Sequence, residues 1–132
     1  MVHEKRIEIR WRDLDALGHV NNAVYATYLE EARDEWMQRA LEGAGDLWDY
    51  VLVRIAIDFR RELTQGDDAV LVRTRLTRIG TSSLTLREDI LKLDGTLSAE
   101  AESVVVARDR VTGASRPLTV AEREAYAGVL DG

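Results

Sequence analysis

The chain alternates before it coils. From Lys5 to Arg12 the apolar side chains Ile7, Ile9 and Trp11 fall on one face, and Arg6, Glu8, Arg10 and Arg12 on the other. That period predicts a half-buried strand. Between Asn22 and Leu41 the period lengthens. Tyr25, Tyr28, Leu29, Ala32, Trp36 and Ala40 keep the spacing of one helical face, while Glu30, Glu31, Arg33, Asp34 and Gln38 cover the opposite one. Gly43 and Gly45 end this helix.

Period two then returns. Val51, Val53, Ile55, Ile57 and Phe59 mark a second strand, and Gly66–Asp67 a turn. Val70, Val72, Thr74 and Leu76 continue the alternation, and Gly80 turns the chain into a fourth strand, "SSLTLREDILKL". Asp94–Gly95 suits a hairpin, because both residues tolerate positive φ. The fifth strand is "TLSAEAESVVVARDR"; "TGASRP" breaks it, and a short helix from about Val120 to Ala127 follows. Tight turns predict that the last four strands run antiparallel. A long helix that is apolar on one side must be covered, and a single curved sheet is the only large partner available.

Composition narrows the class. The 132 residues, 45% of them apolar, suit a single domain over 1–132 with a substantial core. No apolar run is long enough to span a membrane. "MVHEKRIEIRWR" lacks the apolar block of a signal peptide, so the expected address is cytoplasmic. The absence of cysteine excludes disulfides, thiolate chemistry and cysteine-rich zinc sites. A net charge of −6 argues against nonspecific nucleic-acid binding. It leaves room for an anionic small molecule, since the arginines of "FRRE", "RTRLTR" and "RDR" either form a local basic patch or coat solvated strand faces.

The candidate chemistry lies where strand gives way to helix, in "RWRDLDALGHVNNAVYATYLEEARDEW". Asp13, Asp15, Asn21 and Asn22 can be read as caps and turn residues, whose side chains bond free backbone N–H groups. The same features support a second reading. A helix start presents unpaired N–H groups and partial positive charge, which stabilise an oxygen that gains negative charge during a reaction. A carboxylate just upstream, facing it, supplies a base or nucleophile.

"DLDALGHVNNAVYATYLEEAR" resembles the D-x-D-x-x-G-H-V-N-N-x-x-Y segment of hotdog-fold acyl-CoA thioesterases, the 4-hydroxybenzoyl-CoA thioesterase-like group. "TRIGTSSLTLREDI" is similar, less specifically, to the family's approach to a central strand. The resemblance covers roughly residues 4 to 118. It implies an α+β hotdog fold: a five-stranded curved antiparallel sheet wrapped around one long helix (about 22–42), with a short C-terminal helix. Asp15 falls on the family's catalytic aspartate and Asp13 on the first of the pair, read as loop structure. Asn22 falls where the helix start points a backbone N–H at the thioester carbonyl. Gly18 is the turn glycine, and His19 is open between substrate contact and structural role. Asn21 belongs to the motif, and Tyr25 is retained as a substrate contact although its helix face also reads as core. Ser82 and Ser83, in the loop before the fourth strand, are implied near the pantetheine or nucleotide, with Arg61 as a further candidate. Glu30 and Glu31 read as surface or interface residues.

The implied reaction is hydrolysis of an acyl- or aroyl-CoA to free acid and CoA, with Asp15 activating water or attacking the carbonyl. No metal or cofactor is implied, since coenzyme A arrives with the substrate. Family members pair edge strands, so a homodimer or homotetramer is expected, with strand 51–60 as the pairing edge. Two alternatives stay open: a thioesterase acting on acyl carrier protein in a biosynthetic pathway, and a non-catalytic acyl-CoA-binding hotdog module.

Overall fold

A computed structural model describes residues 1–130. The elements run β1 (His3–Glu8), α1 (Asn22–Leu41), β2 (Tyr50–Phe59), β3 (Ala69–Ile79), β4 (Ser83–Lys92), β5 (Leu97–Ala107) and α2 (Val120–Ala127), with short 3-10 turns at Trp11–Asp13, Leu47–Asp49 and Gln65–Asp67. The sheet is antiparallel, in the order β1-β3-β4-β5-β2, and α1 packs along its inner face. This is the hotdog arrangement, with both helices where the periodicity placed them.

Helix α1 begins at Asn22 because Asn21 caps it, its side chain accepting from the Ala23 N–H at 2.9 Å. It ends as Glu42 and Gly43 turn left-handed (φ 40° and 87°). The expected apolar face is buried against the sheet in two clusters. Tyr25, Tyr28, Leu29 and Ala32 meet Ile7, Val70, Val72 and Ile90 near the helix start. Trp36 and Ala40 meet Leu76, Leu84, Leu86 and Tyr126 near its end. Each fully buried large side chain contributes about 1.5–3 kcal/mol.

Three sequence expectations change. Trp11 does not continue the inner face of the first strand: β1 ends at Glu8, and the chain turns outward through Trp11–Asp13, leaving Trp11 82% exposed while Ile7 and Ile9 stay buried. Arg33 does not lie on the solvent face of α1. It is buried, and its Nη2 donates to Glu88 Oε1 on β4 at 3.3 Å; the Ser103 hydroxyl donates to the same oxygen at 2.6 Å. Burial pushes the Glu88 carboxyl up, against the pull of Arg33 and Ser103. Finally, Gly66–Asp67 is not the turn of a β2–β3 hairpin. Strands β3, β4 and β5 pair in sequence, but β2 lies at the far edge against β5, and segment 60–68 crosses back to β3. That crossing brings the end of β2 beside the start of α1.

Candidate active site

The stretch between β1 and α1 is a small hairpin. Leu14 bridges Val20, the Asp15 N–H donates to the His19 carbonyl at 2.8 Å, and the Asn21 N–H donates to the Asp13 carbonyl at 2.8 Å. The tip closes through the Gly18 N–H to the Asp15 carbonyl (3.1 Å), with Gly18 at φ +79°, a conformation that favours glycine. The second arm docks on the crossing segment: His19 bridges Thr64, and the Val20 N–H donates to the Leu63 carbonyl at 2.8 Å.

The paired aspartates of this hairpin have different environments. Asp13 is 2% exposed. Its Oδ2 accepts from the Tyr28 hydroxyl (2.7 Å) and the Arg10 N–H (2.9 Å), and its Oδ1 from Arg10 Nη2 (3.2 Å). Burial pushes this carboxyl up, but the hydrogen bonds from Arg10 and Tyr28 outweigh it and hold the group below its usual range. Asp15 is half-buried. Its Oδ1 accepts from the Leu17 N–H (2.9 Å) and the His19 N–H (3.3 Å), while its Oδ2 accepts from none of the described residues.

Asp15 and Asn22 line one cleft of about 350 Å³, together with Leu17, His19, Val20, Tyr25, Phe59, Arg60, Arg61 and Glu62. The Asn22 N–H is at the first helical position, where no intrahelical acceptor exists. The His19 side chain lines the cleft without a hydrogen-bond partner among the described residues. Tyr25 is buried and meets Phe59 edge to face, with ring centroids 5.0 Å apart, so it forms the cleft wall and belongs to the core as well. Arg61 is exposed and donates to the Arg60 carbonyl at 2.9 Å, while Arg60 pairs with Glu100 at 2.8 Å. The Asn21 side chain caps the helix, and Gly18 shapes the turn behind Asp15.

Five of the expected residues therefore come together within one chain: Asp15, His19, Asn22, Tyr25 and Arg61. Ser82 and Ser83 do not join them. Ser83 is level with Val106 on β5, and Val106 with Val51 on β2, whereas the cleft adjoins Phe59. Eight positions of strand separate those levels, roughly 25 Å. Phe59, Arg60 and Glu62 are cleft residues that the motif did not indicate. No local signal marks them, because they come from the end of β2 and the crossing segment that follows it. Among the described residues no cluster of His, Asp and Glu is arranged to hold a metal ion.

Arranged this way, the cleft can place a carbonyl between a carboxylate with one unengaged oxygen and an unpaired helix-start N–H. Comparison with known proteins places the chain among thioesterases. The model of the thioesterase-like superfamily matches residues 9–124. A predicted thioesterase from Bacillus stearothermophilus shares 26% identity over 99% of this chain and 98% of its own, with a TM-score of 0.89. A thioesterase from Thermus thermophilus, solved with coenzyme A and zinc, shares 34% identity over 96% of this chain and 92% of its own (TM-score 0.85). A DHNA-CoA thioesterase from Staphylococcus aureus, at 18% identity over 97% and 90% of the two chains, shares the fold (TM-score 0.86).

Proposed function

Because the chain belongs to the thioesterase-like superfamily and is a thioester hydrolase of the hotdog type, we propose that it hydrolyses acyl- or aroyl-CoA through Asp15. One observation carries this reading: Asp15, with its Oδ2 unengaged, and Asn22, whose N–H has no intrahelical acceptor, line the same cleft. The thioester carbonyl lies with its oxygen against the Asn22 N–H. Asp15 either takes a proton from a water that attacks the carbonyl carbon, or attacks that carbon itself. In the first course the tetrahedral intermediate collapses with loss of CoA thiolate. In the second, thiolate leaves first and water then hydrolyses the mixed anhydride. Both release acid and CoA, and neither needs a metal or cofactor beyond the substrate. Arg61 lies at the cleft mouth, where a cation suits the CoA phosphates.

The same reading assigns β2 as the edge where two copies meet. It is the last strand of the sheet, ten residues long, and exposes Val51, Leu52, Val53 and Phe59. An open edge of that length and character invites pairing. Antiparallel pairing of two β2 strands would carry the Phe59 end of one chain to the Tyr50 end of its partner. That is the end of the sheet where Ser82 and Ser83 sit, so the serines would serve the partner's cleft rather than their own.

The test is CoA release from a panel of acyl- and aroyl-CoA thioesters, read with a thiol reagent. The chain has no cysteine to contribute background. Turnover that disappears in Asp15→Asn supports the assignment, and wild-type turnover in that variant overturns it. The same acyl group on acyl carrier protein identifies the preferred carrier. Mass in solution is expected to be at least twice the 14.9 kDa of the chain; an active monomer would exclude the shared site.

A further inference from the structure

The mechanism uses Asp15 and leaves Asp13 idle, yet Asp13 is the more elaborately held of the two. We propose that Asp13 and Tyr28 form a positioning pair that sets the distance between the Asp15 carboxylate and the Asn22 N–H. This rests on the catalytic reading of Asp15 and Asn22 given above.

The geometry begins with a problem of separation. Asp15 and Asn22 are seven residues apart, on opposite sides of a hairpin that turns at Gly18. The hairpin's second arm is anchored to the crossing segment through Val20 and His19. Its first arm, which carries Asp15, pairs with the second through the Asp15 N–H and the His19 carbonyl but does not itself dock on the crossing segment, and Asp13 adds an anchor to the helix. The Asp13 carbonyl accepts from the Asn21 N–H at 2.8 Å, which ties the first arm to the residue that caps α1. The Asp13 carboxylate accepts from Tyr28 at 2.7 Å, and Tyr28 is on the buried face of the same helix. Arg10 closes the assembly through its N–H (2.9 Å) and guanidinium (3.2 Å), fixing the exit from β1. The chain segments before and after Asp15 are thus bound to the helix whose first N–H faces the substrate.

The chemistry of the pair suits this task better than it suits a plain loop. A buried carboxylate is costly unless it is well bonded, and a turn can be closed by asparagine or serine without that cost. What a charged acceptor adds is a short, strong, directional bond to a phenol. Rigid placement is what acyl transfer needs, since a displacement of about 1 Å can cost about 10²-fold in rate.

The tether lies in the protein interior, away from the substrate, so its removal is expected to lower kcat and leave KM almost unchanged. Tyr28→Phe deletes one hydroxyl and keeps the ring in the core. It is expected to reduce kcat by about 10–100-fold, with KM within about twofold of wild type. Asp13→Ala loses at least as much, and Asp13→Asn less, because its amide oxygen can still accept from Tyr28. Rates are read well below each variant's melting transition. The decisive measurement is made in the Asp15→Asn background by single turnover. There Tyr28→Phe costs no more than about twofold, since its effect passes through Asp15. Wild-type kcat in Tyr28→Phe, with only a lowered melting temperature, overturns the proposal and leaves the catalytic reading standing. So does a full multiplicative loss in the double variant. Wild-type turnover in Asp15→Asn alone overturns the catalytic reading, and the positioning pair falls with it.

Discussion

The two ends of α1 each meet a carboxylate, and the two carboxylates are treated in opposite ways. At the helix start, Asp15 is half in solvent, with one oxygen held by two backbone N–H groups and the other unengaged. At the helix end, Glu122 of α2 is 1% exposed and saturated. Its Oε1 accepts from Arg116 Nη1 (2.7 Å) and the Thr119 N–H (2.8 Å), and its Oε2 from Arg116 Nη2 (3.1 Å) and the Tyr50 hydroxyl. Tyr50 in turn meets Tyr126, which stacks on Trp36. Burial pushes Glu122 up, but Arg116, Thr119 and Tyr50 together hold it at about 2. Glu122 fastens the fold with each of its oxygens bonded twice. A carboxylate that reacts needs an oxygen free and a space in front of it.

Exchanging charge for amide at each site tests that contrast most strongly. Asp15→Asn is expected to lower kcat by about 10²–10⁴, the range for a lost general base, with the melting curve unchanged. Glu122→Gln is expected to do the reverse. Turnover below the transition stays normal, while stability falls by about 3 kcal/mol, as expected when one partner of a buried ion pair is removed. Thermal melts and steady-state rates on both variants check the pair of outcomes. Equal effects of the two substitutions on both readouts would erase the distinction.

The helix start itself comes next in size. Asn22→Ala keeps the backbone N–H and is expected to change kcat little. Asn22→Pro removes that N–H and is expected to cost about 10²–10³ in kcat. Proline is tolerated in a first helical turn, and circular dichroism checks that the fold persists. Equal losses in folded Ala and Pro variants would move the oxyanion contact from main chain to side chain.

Acid sharpens the comparison further. Glu122 has its pKa depressed from 4.5 to about 2 in the fold. Its contribution is therefore present above about pH 4.5 and is lost as pH falls through about 2, a difference of about 3–4 kcal/mol at 1.4 kcal/mol per unit. Asp13, also depressed, acts in the same direction. Denaturant titrations from pH 5 to 2 are expected to show a steeper loss in wild type than in Glu122→Gln; parallel curves would contradict the assigned role. The smallest expected effect is at the cleft mouth. Arg61→Ala is expected to raise KM for acyl-CoA by about tenfold or less, the worth of one charge-assisted contact. It should matter little for an acyl-pantetheine substrate that lacks the nucleotide.

What the sequence determined by itself is local. Period two and period 3.6 place the strands and both helices, because each period reports which side of its own backbone meets the core. The motif around Asp15, Gly18 and Asn22 was equally legible, since the hairpin, the glycine turn and the helix start lie within ten residues of chain. The tertiary structure alone decided what depends on distant partners. Arg33 reads as solvent-facing by spacing, and it is buried because Glu88 and Ser103 meet it from across the sheet. Trp11 keeps the strand's alternation and is nonetheless exposed, because β1 ends at Glu8 and Trp11 opens the turn whose Asp13 is held by Tyr28. Phe59, Arg60 and Glu62 enter the cleft only because β2 pairs with β5 and segment 60–68 must cross back beside the helix start. Periodicity reports the sidedness of an element and carries no information about which other element will cover it. That choice is settled by long-range pairing and burial.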